Sequence, residues 1–562
     1  MHQPATLQGL DRSQLRTVWE ALESRQSLTE VAEGFQFSSS RDLLRAIAVA
    51  LGLELVDLEG VQVDTSLLEA FPLKMIHRYE VFPIRREGDE LTLAVSNPMG
   101  FQAIDSIGVS LRCVVKPVLV ESDQLRQLIK SHLGVGAETI DGLLALQRDV
   151  PELEGFDGLD GQDREDAEMA QQASVVRLVN EILGEAIEAR ASDIHVEAQE
   201  HGIKIRYRID GVLQRQPTPP EMNQFRAAIV SRLKIMARLN IAEKRVPQDG
   251  RIKMRVKGRE VDIRVSIIPM LHGEGVVMRI LDKSNLNFSL RGIGMSEQIY
   301  ERFQRLIRLP HGILLVTGPT GSGKTTTLYS ALSEIKNEET KIITTEDPIE
   351  YQLDGINQIQ VHAKVGLTFA ASLRSILRHD PDVVLVGEIR DLETAENATQ
   401  AALTGHLVFS TLHTNDAASA FMRLTDIGVE PFLVSSTVEG VMAQRLVRRL
   451  CVECRAPVDP ASVDVPEDFP WELFQQHDAT IYRPVGCPAC RGNGYRGRMG
   501  IYELLVANDE ARDLISKRVA SQEVKQAAIR AGMTTLRDDG WCKVLAGDTS
   551  VDEVLRVTKS DT

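Results

Sequence analysis

Residues 312–335 read GILLVTGPTGSGKTTTLYSALSEI. Ile313 to Val316 is a short, wholly apolar run of the kind a strand buried on both faces requires, and Thr325 to Ile335 continues as a helical pattern. Between them Gly318 to Thr325 matches GxxxxGK[ST], so a glycine-rich loop joins strand to helix. Glycines let backbone N–H groups converge on an anion at the amino terminus of the helix. Lys324 supplies a point charge for β and γ oxygens, and Thr325 a hydroxyl for Mg²⁺. Gly318, Pro319, Thr320, Gly321, Ser322, Gly323, Lys324, Thr325 and Thr326 are therefore the expected cradle of a polyphosphate such as ATP. The fold class that follows is α/β.

Three further segments belong beside that cradle. The apolar run Val383 to Val386 ends in Gly387-Glu388, which places one carboxylate at the carboxyl end of a sheet strand, where ligands of open α/β sheets bind. Glu388 is the candidate catalytic acid, polarising the attacking water or holding magnesium through water, because phosphoryl transfer depends on positioning and charge neutralisation. KIITTEDPIEY, residues 341–351, starts apolar and delivers Glu346, Asp347 and Glu350 beyond a strand. LVFSTLHTN, residues 407–415, delivers His413 between Thr411 and Thr414, as a γ-phosphate sensor requires. His406 and His413 taken singly are more often structural hydrogen-bonders; position after a strand is what distinguishes His413.

The rest of the chain sets the frame. Its 562 residues imply three to four domains, and a 43% hydrophobic, 26% charged composition supports several packed cores. No apolar run approaches the ~20 residues of a membrane span, and MHQPATLQGLDRSQ lacks the apolar stretch of a signal peptide, so a cytoplasmic protein is expected. A formal charge of −16 argues against a general nucleic-acid binder. Half of it lies between Asp149 and Glu168, which hold nine acids and one base, and residues 136–171 read as an acidic flexible linker.

Before the linker, residues 1–135 alternate a helical pattern (Leu43 to Leu51) with strand-like runs (Glu80 to Ile84, Leu91 to Val95). This is a small α/β domain without a catalytic constellation, for docking or regulation or purely for structure. After the linker, Ser174 to Ala189 is an amphipathic helix that opens a domain spanning 172–285. There Ile252, Met254 and Val256 alternate with Arg251, Lys253, Arg255 and Lys257. Lys257-Gly258 makes a turn, and Val261, Ile263 and Val265 return with Asp262 and Arg264 on the outer face. Arg232 to Arg264 holds eleven bases and four acids. A solvated charged face is the ordinary state of such a ridge; a phosphate-facing or interprotomer surface is the sharper reading.

Of six cysteines, four form Cys451-Val-Glu-Cys454 and Cys487-Pro-Ala-Cys490, with 32 residues between the pairs. In a cytosolic chain two CxxC knuckles point to a closed structural Zn²⁺ site rather than to disulfides, a redox pair being the weaker alternative. Cys113 and Cys542 read as buried or incidental thiols.

Taken in order, these segments resemble the traffic ATPases of type II secretion and type IV pili, a branch of RecA-like hexameric motors. GPTGSGKTTTLYSAL (318–332) resembles their Walker A region and ITTEDPIEYQL (343–353) their Asp box. DPDVVLVGEIRDLETAENATQAALTGHLVFSTLHTN (380–415) is similar to their atypical Walker B and His box, while ASDIHVEAQ (191–199) and RYRIDGVL (206–213) resemble their neighbour domain. FAASLRSILRHDPD (369–382), EYQL and IGVEPFLVSSTVEGVMAQRLVRRLC (427–451) look most like the E-type ATPase of secretion, with pilus assembly close behind.

The resemblance implies a RecA-like P-loop ATPase core at 286–450, a PAS-like α/β neighbour domain and the small amino-terminal α/β domain. It also implies a four-cysteine zinc module at 451–505 and a helical subdomain at 506–562. It implies roles for Lys324 and Thr325 at phosphates and metal, for Glu346 in the Asp box, for Glu388 as catalytic glutamate and for His413 in the His box. Arg264 and Arg279 in the neighbour domain, with Arg374 and Arg378 in LRSILR, become candidate arginine fingers, worth ~10³ to 10⁵ in rate. A surface or interface ion pair is the ordinary role of any one arginine.

The implied protein is a homo-hexamer, cytoplasmic and peripheral to the inner membrane, docking through residues 1–135 on inner-membrane platform proteins. A nucleic-acid translocase is disfavoured by 5% aromatics and the lack of basic-aromatic interleaving. A cyclic-dinucleotide signalling role finds no repeated arginine-and-leucine motif in residues 1–60.

Overall fold

In a computed structural model, which describes residues 10–559 except 141–160, 283–288 and scattered gaps of one to four residues, the chain divides into two compact units at Leu281/Asp282. The first holds two sheets. In the amino-terminal sheet, β1 (Glu54–Leu55), β2 (Val81–Glu87), β3 (Glu90–Val95) and β4 (Val114–Leu119) lie in the order β1-β4-β3-β2. The helix Ser40–Leu51 packs on it through Leu43 and Ile47, capped by Ser39 at one end and left-handed Gly52 at the other.

In the second sheet, β5 (Ala191–Gln199), β6 (Gly202–Ile209), β7 (Val212–Arg215), β8 (Gln248–Val256), β9 (Arg259–Met270) and β10 (Gly273–Asp282) lie in the order β7-β6-β5-β10-β9-β8. The pairs β5–β10, β5–β6, β6–β7 and β8–β9 are all antiparallel. The helix covering this sheet runs from Gly161 to Glu188, so it starts thirteen residues before the expected Ser174. The centre of the expected linker, 141–160, lies outside the described residues, and its carboxyl-terminal part begins that helix. Leu178, Val179, Ile182 and Leu183 bury against Ile194, Ile205 and Ile263, and Ile140 joins the same core.

The β8–β9 hairpin turns where expected, with Val256 opposite Arg259 and Gly258 at φ +81°. Its ridge is less basic than its composition. Asp262 is buried, not outward, and takes Arg251 at 2.5 Å, while Glu260 takes Arg255 at 3.0 Å.

The second unit is built on a seven-stranded sheet. β11 (Gly312–Thr317), β12 (Ile342–Glu346), β13 (Asn357–Gln360), β14 (Val383–Val386), β15 (Leu407–Leu412), β16 (Val438–Leu450) and β19 (Tyr495–Val506) lie in the order β13-β12-β14-β15-β11-β16-β19. All neighbours are parallel except β16 and β19. Along β11 the apolar residues face both ways: Ile313 and Leu315 enter one core, Leu314 and Val316 the other. A strand covered on both faces has no use for alternation, which is why its sequence is continuously apolar. Parallel strands also bring the loops that follow β11, β12, β14 and β15 to one edge, and the site is there.

The four cysteines sit on an excursion between β16 and β19, braced by the two-residue strands β17 (Ala456–Pro457) and β18 (Tyr482–Arg483). The expected 451–505 module thus divides: residues 451–494 form the excursion, and Tyr495–Val506 is a strand of the core sheet. Helices between Asp509 and Val557 follow. No described helix is long and apolar enough to cross a membrane.

Candidate active site

The P-loop leaves β11 at Thr317 and enters the Lys324–Ile335 helix. Gly318 has φ +148°, and a Cβ there would lie 2.5 Å from the Gln444 carbonyl oxygen and 2.7 Å from Ser322 Oγ, so no side chain fits. Lys324 Nζ donates to the carbonyls of Gly318 at 2.8 Å and Pro319 at 3.1 Å, folded over the loop it serves. Burial brings its pKa down to about 8, with Glu388 opposing and Arg445 adding to the fall. Ser322 Oγ is buried with no hydrogen-bond partner among the described residues. An orphaned hydroxyl, a desolvated ammonium and a cradle that a Cβ would fill are what a polyphosphate-binding loop leaves open; these residues fit a nucleotide.

Glu388 follows Gly387 at the end of β14. Gly387 N donates to Thr345 O at 2.8 Å, and Thr411 Oγ1 donates to Gly387 O at 2.7 Å, which ties the turn to β12 and β15. Its carboxylate, 13% exposed, meets His413 Nε2 at 3.3 Å and Arg390 Nη2 at 2.5 Å. Lys324, Glu388 and His413, named from three separate segments, therefore stand around one strand edge. Arg390, two residues beyond Glu388, is a site residue that the motifs do not single out; its contact with the Glu388 carboxylate is visible only in the structure.

Glu346 is placed differently. It ends β12, is 4% exposed, and accepts from the Tyr329 hydroxyl, from Thr344 Oγ1 at 2.6 Å and from Gln358 Nε2 at 3.1 Å. Burial and the Glu346 charge push the Tyr329 hydroxyl pKa above its ordinary range. Tyr329 belongs to the P-loop helix, so Glu346 fixes that helix to β12. Thr325 and Thr326 lie in its first turn, Thr325 half-buried and Thr326 exposed.

His406 takes the ordinary part of a histidine, its Nδ1 within 2.9 Å of Ala401 O. Arg374 is paired with Glu393 of the following helix, and Arg378 is exposed beyond the same turn. In the other unit, Arg279 Nε donates to Asp193 Oδ1 at 3.0 Å, and Arg264 sits on β9 opposite Arg251.

The four cysteine sulfurs all lie within 4.8 Å of one another, with Cys451 to Cys487 and Cys454 to Cys490 each 3.8 Å and Cys487 to Cys490 3.7 Å. A tetrahedron with ~2.3 Å metal–sulfur bonds has edges of ~3.8 Å, so the four thiols are spaced to hold a metal ion. The N–H groups of Gly486, Cys487 and Gly494 donate to the sulfurs of Cys454 and Cys490. Burial would raise the Cys490 pKa, but the Cys487 and Gly494 donors hold it down to about 7. Of the remaining thiols, Cys113 is half-buried and Cys542 exposed.

A family model described as Type II/IV secretion system protein matches residues 168–556, and an MshEN domain model matches 51–139. The chain belongs to the type II/IV secretion system protein family. It is 43% identical to the type II secretion system protein E of Xanthomonas campestris pv. campestris over 93% of this chain and 91% of that one. Identity to the type II secretion system ATPase E of Vibrio cholerae is 49%, over 78% of this chain and 83% of that one. The type IV pilus assembly ATPase PilB of Myxococcus xanthus is 43% identical over 91% and 90%. All three align beyond the P-loop core, across most of the chain.

Proposed function

We propose that this protein is a cytoplasmic ATPase that hydrolyses ATP to ADP and phosphate to power pseudopilus assembly and protein export in type II secretion. The observation that carries the reading is the convergence of Lys324, Glu388 and His413 on the edge of one parallel sheet, beside a loop whose polar atoms await an anion. Lys324 and the P-loop amides bind the β and γ phosphates, and Thr325 holds Mg²⁺, which offsets the charge developing on the phosphate oxygens. Glu388 orients the attacking water and takes its proton. His413, 3.3 Å from that carboxylate, reports on the γ-phosphate. Glu346 holds the P-loop helix in register through Tyr329.

The ring is a homo-hexamer, with Arg264, Arg279, Arg374 and Arg378 the candidates to reach phosphate, within a subunit or across a boundary. Each has an exposed or half-exposed guanidinium site rather than a buried one. Residues 1–135 dock on inner-membrane platform proteins, so membrane association is indirect. The four cysteines hold Zn²⁺, closed on all sides and structural.

The likeness to a pilus assembly ATPase favours one second reading, extension of a type IV pilus. Two measurements decide. Purified protein with magnesium and its docking partner must release inorganic phosphate from ATP; none would end the ATPase reading. A chromosomal Glu388→Gln replacement that stops export while pili persist selects secretion, and the reverse selects pilus assembly.

A further inference from the structure

β16 lies beside β11 in the sheet, with Ala443 level with Thr317, so the next two residues, Gln444 and Arg445, stand against the P-loop. They touch it at both ends. The Gln444 carbonyl and the Arg445 guanidinium would lie 2.5 and 3.2 Å from a Cβ on Gly318, while Gln444 Oε1 accepts from Thr327 Oγ1 at 2.7 Å in the helix beyond the loop. Gln444 is 1% exposed and Arg445 half-buried.

Arg445 also reaches away from the loop. Its Nη2 donates to both the carbonyl of Asn415 at 3.0 Å and the Asn415 Oδ1 at 3.1 Å. Asn415 is two residues past His413. The intervening Thr414 is stitched to β11 from the other side: its N–H donates to Thr317 Oγ1 at 2.8 Å, and the two threonine hydroxyls are 2.8 Å apart. The segment that carries His413 is therefore held to the entrance of the P-loop by a threonine pair and by one arginine fork. Burial lowers the Arg445 pKa from its ordinary value, and the negative charges of Asp416 and Glu503 oppose that fall.

We propose that Arg445 is a positioning residue for phosphoryl transfer, setting the distance between the first glycine of the P-loop and the His413 segment through its fork on Asn415. The inference rests on the ATPase reading above. Arginine suits the place because Nη2 donates to both acceptors of Asn415 while Nη1 donates to the Gln444 carbonyl at 3.2 Å, the same oxygen that crowds Gly318; a lysine keeps the charge but not the span. Since catalysis by this kind of site is mostly geometry, a misplacement of about 1 Å costs on the order of 10²-fold in rate with little effect on ground-state binding.

The test uses the full chain. Arg445→Met is expected to lower kcat on the order of 10²-fold while ADP affinity stays within about 3-fold. Arg445→Lys is expected to recover only part of that loss. Because the fork acts through Asn415, the Arg445→Met, Asn415→Ala double variant should lose no more than the worse single variant, where independent effects would multiply.

Wild-type turnover in Arg445→Met, full rescue by Arg445→Lys, multiplying losses, or parallel loss of kcat and ADP affinity would each overturn the assignment. Hydrogen exchange separates its failure from that of the ATPase reading. Amides of residues 414–416 should exchange at least ~10-fold faster in Arg445→Met with the Lys324–Ile335 helix unchanged, and unaltered exchange there overturns the proposal even if the wild type released no phosphate.

Discussion

The P-loop pocket and the cysteine knuckles are both candidate ligand sites, and they are built on opposite plans. The pocket gathers Lys324, Glu388 and His413 from strand ends far apart in sequence, and it leaves Ser322 Oγ without a partner and Lys324 resting on loop carbonyls. The knuckles gather their four sulfurs within one excursion, and every sulfur contact is to another sulfur or to a backbone group of the same turns. One site is incomplete until substrate arrives; the other leaves no position for a water or a substrate. An open set of groups on a rigid sheet edge suits chemistry, and a closed set in a loop suits folding.

Removing charge from the open site is the harshest test of that contrast. Lys324→Ala should cut phosphate release on the order of 10³-fold and weaken nucleotide binding while the protein still folds. Glu388→Gln should cut release by ~10² to 10⁴-fold while ATP still binds, because the amide keeps the shape but cannot take a proton. Phosphate release and equilibrium binding of a fluorescent nucleotide check both variants. Normal hydrolysis by either removes the site assignment.

Damage to the closed site should read out differently. Its excursion packs Phe469 and Ile481 against Trp541, Val544, Val551 and Val554, and Asp468 pairs with Arg537, so the knuckles anchor the carboxyl-terminal helices as well as themselves. Cys490→Ser, or a strong chelator, should release one equivalent of zinc and open residues 451–494 to protease. ADP affinity should change only a few-fold, since β16 and β19 remain paired in the core sheet. Metal analysis with limited proteolysis decides this. Metal-free protein with an unaltered cleavage pattern would leave the cysteines without a structural role.

The same contrast explains what could be read from the sequence. The P-loop was legible because strand, glycine turn and helix are contiguous, and the cysteines because thiolate spacing is local. Glu388 and His413 were legible from position, each following an apolar run that could only be an interior strand. Gln444 and Arg445 were not, because their place beside Gly318 depends on a crossover that sets β16 next to β11 after about 120 intervening residues.

The available signal was a polar pair interrupting the apolar run of β16, VEGVMAQRLVRRL. Asp262 failed for a related reason: period-two alternation says which residues share a face, not whether that face is covered, and Arg251 folds over this one. Glu346 was named from its motif, but its three hydrogen bonds, to the P-loop helix, to β12 and to β13, are a matter of packing alone.

The smallest expected effect belongs to the open site and is a matter of protons. In the nucleotide-free protein Lys324 sits near 8 instead of its ordinary 10.5, chiefly because it is buried. Below about pH 8 it is already charged and binding a phosphate takes up no proton at this group. Between about pH 8 and 10.5 the free protein holds it neutral, bound phosphates favour the ammonium, and affinity should fall by up to about tenfold per pH unit.

The sign for folding is the reverse. The unfolded chain binds this proton more readily than the native one over the same window, so the nucleotide-free fold gains stability as pH rises through it. Calorimetric ADP titrations at pH 7 and pH 9 in buffers of different ionisation heat should show proton uptake only at the higher value. Glu388→Gln should move its onset lower, because the Glu388 charge is what opposes the fall. Uptake that is equal at the two values would mean that the lysine is not desolvated before substrate arrives. The pocket would then be as saturated at rest as the knuckles, and the distinction between an open site and a closed one would fail.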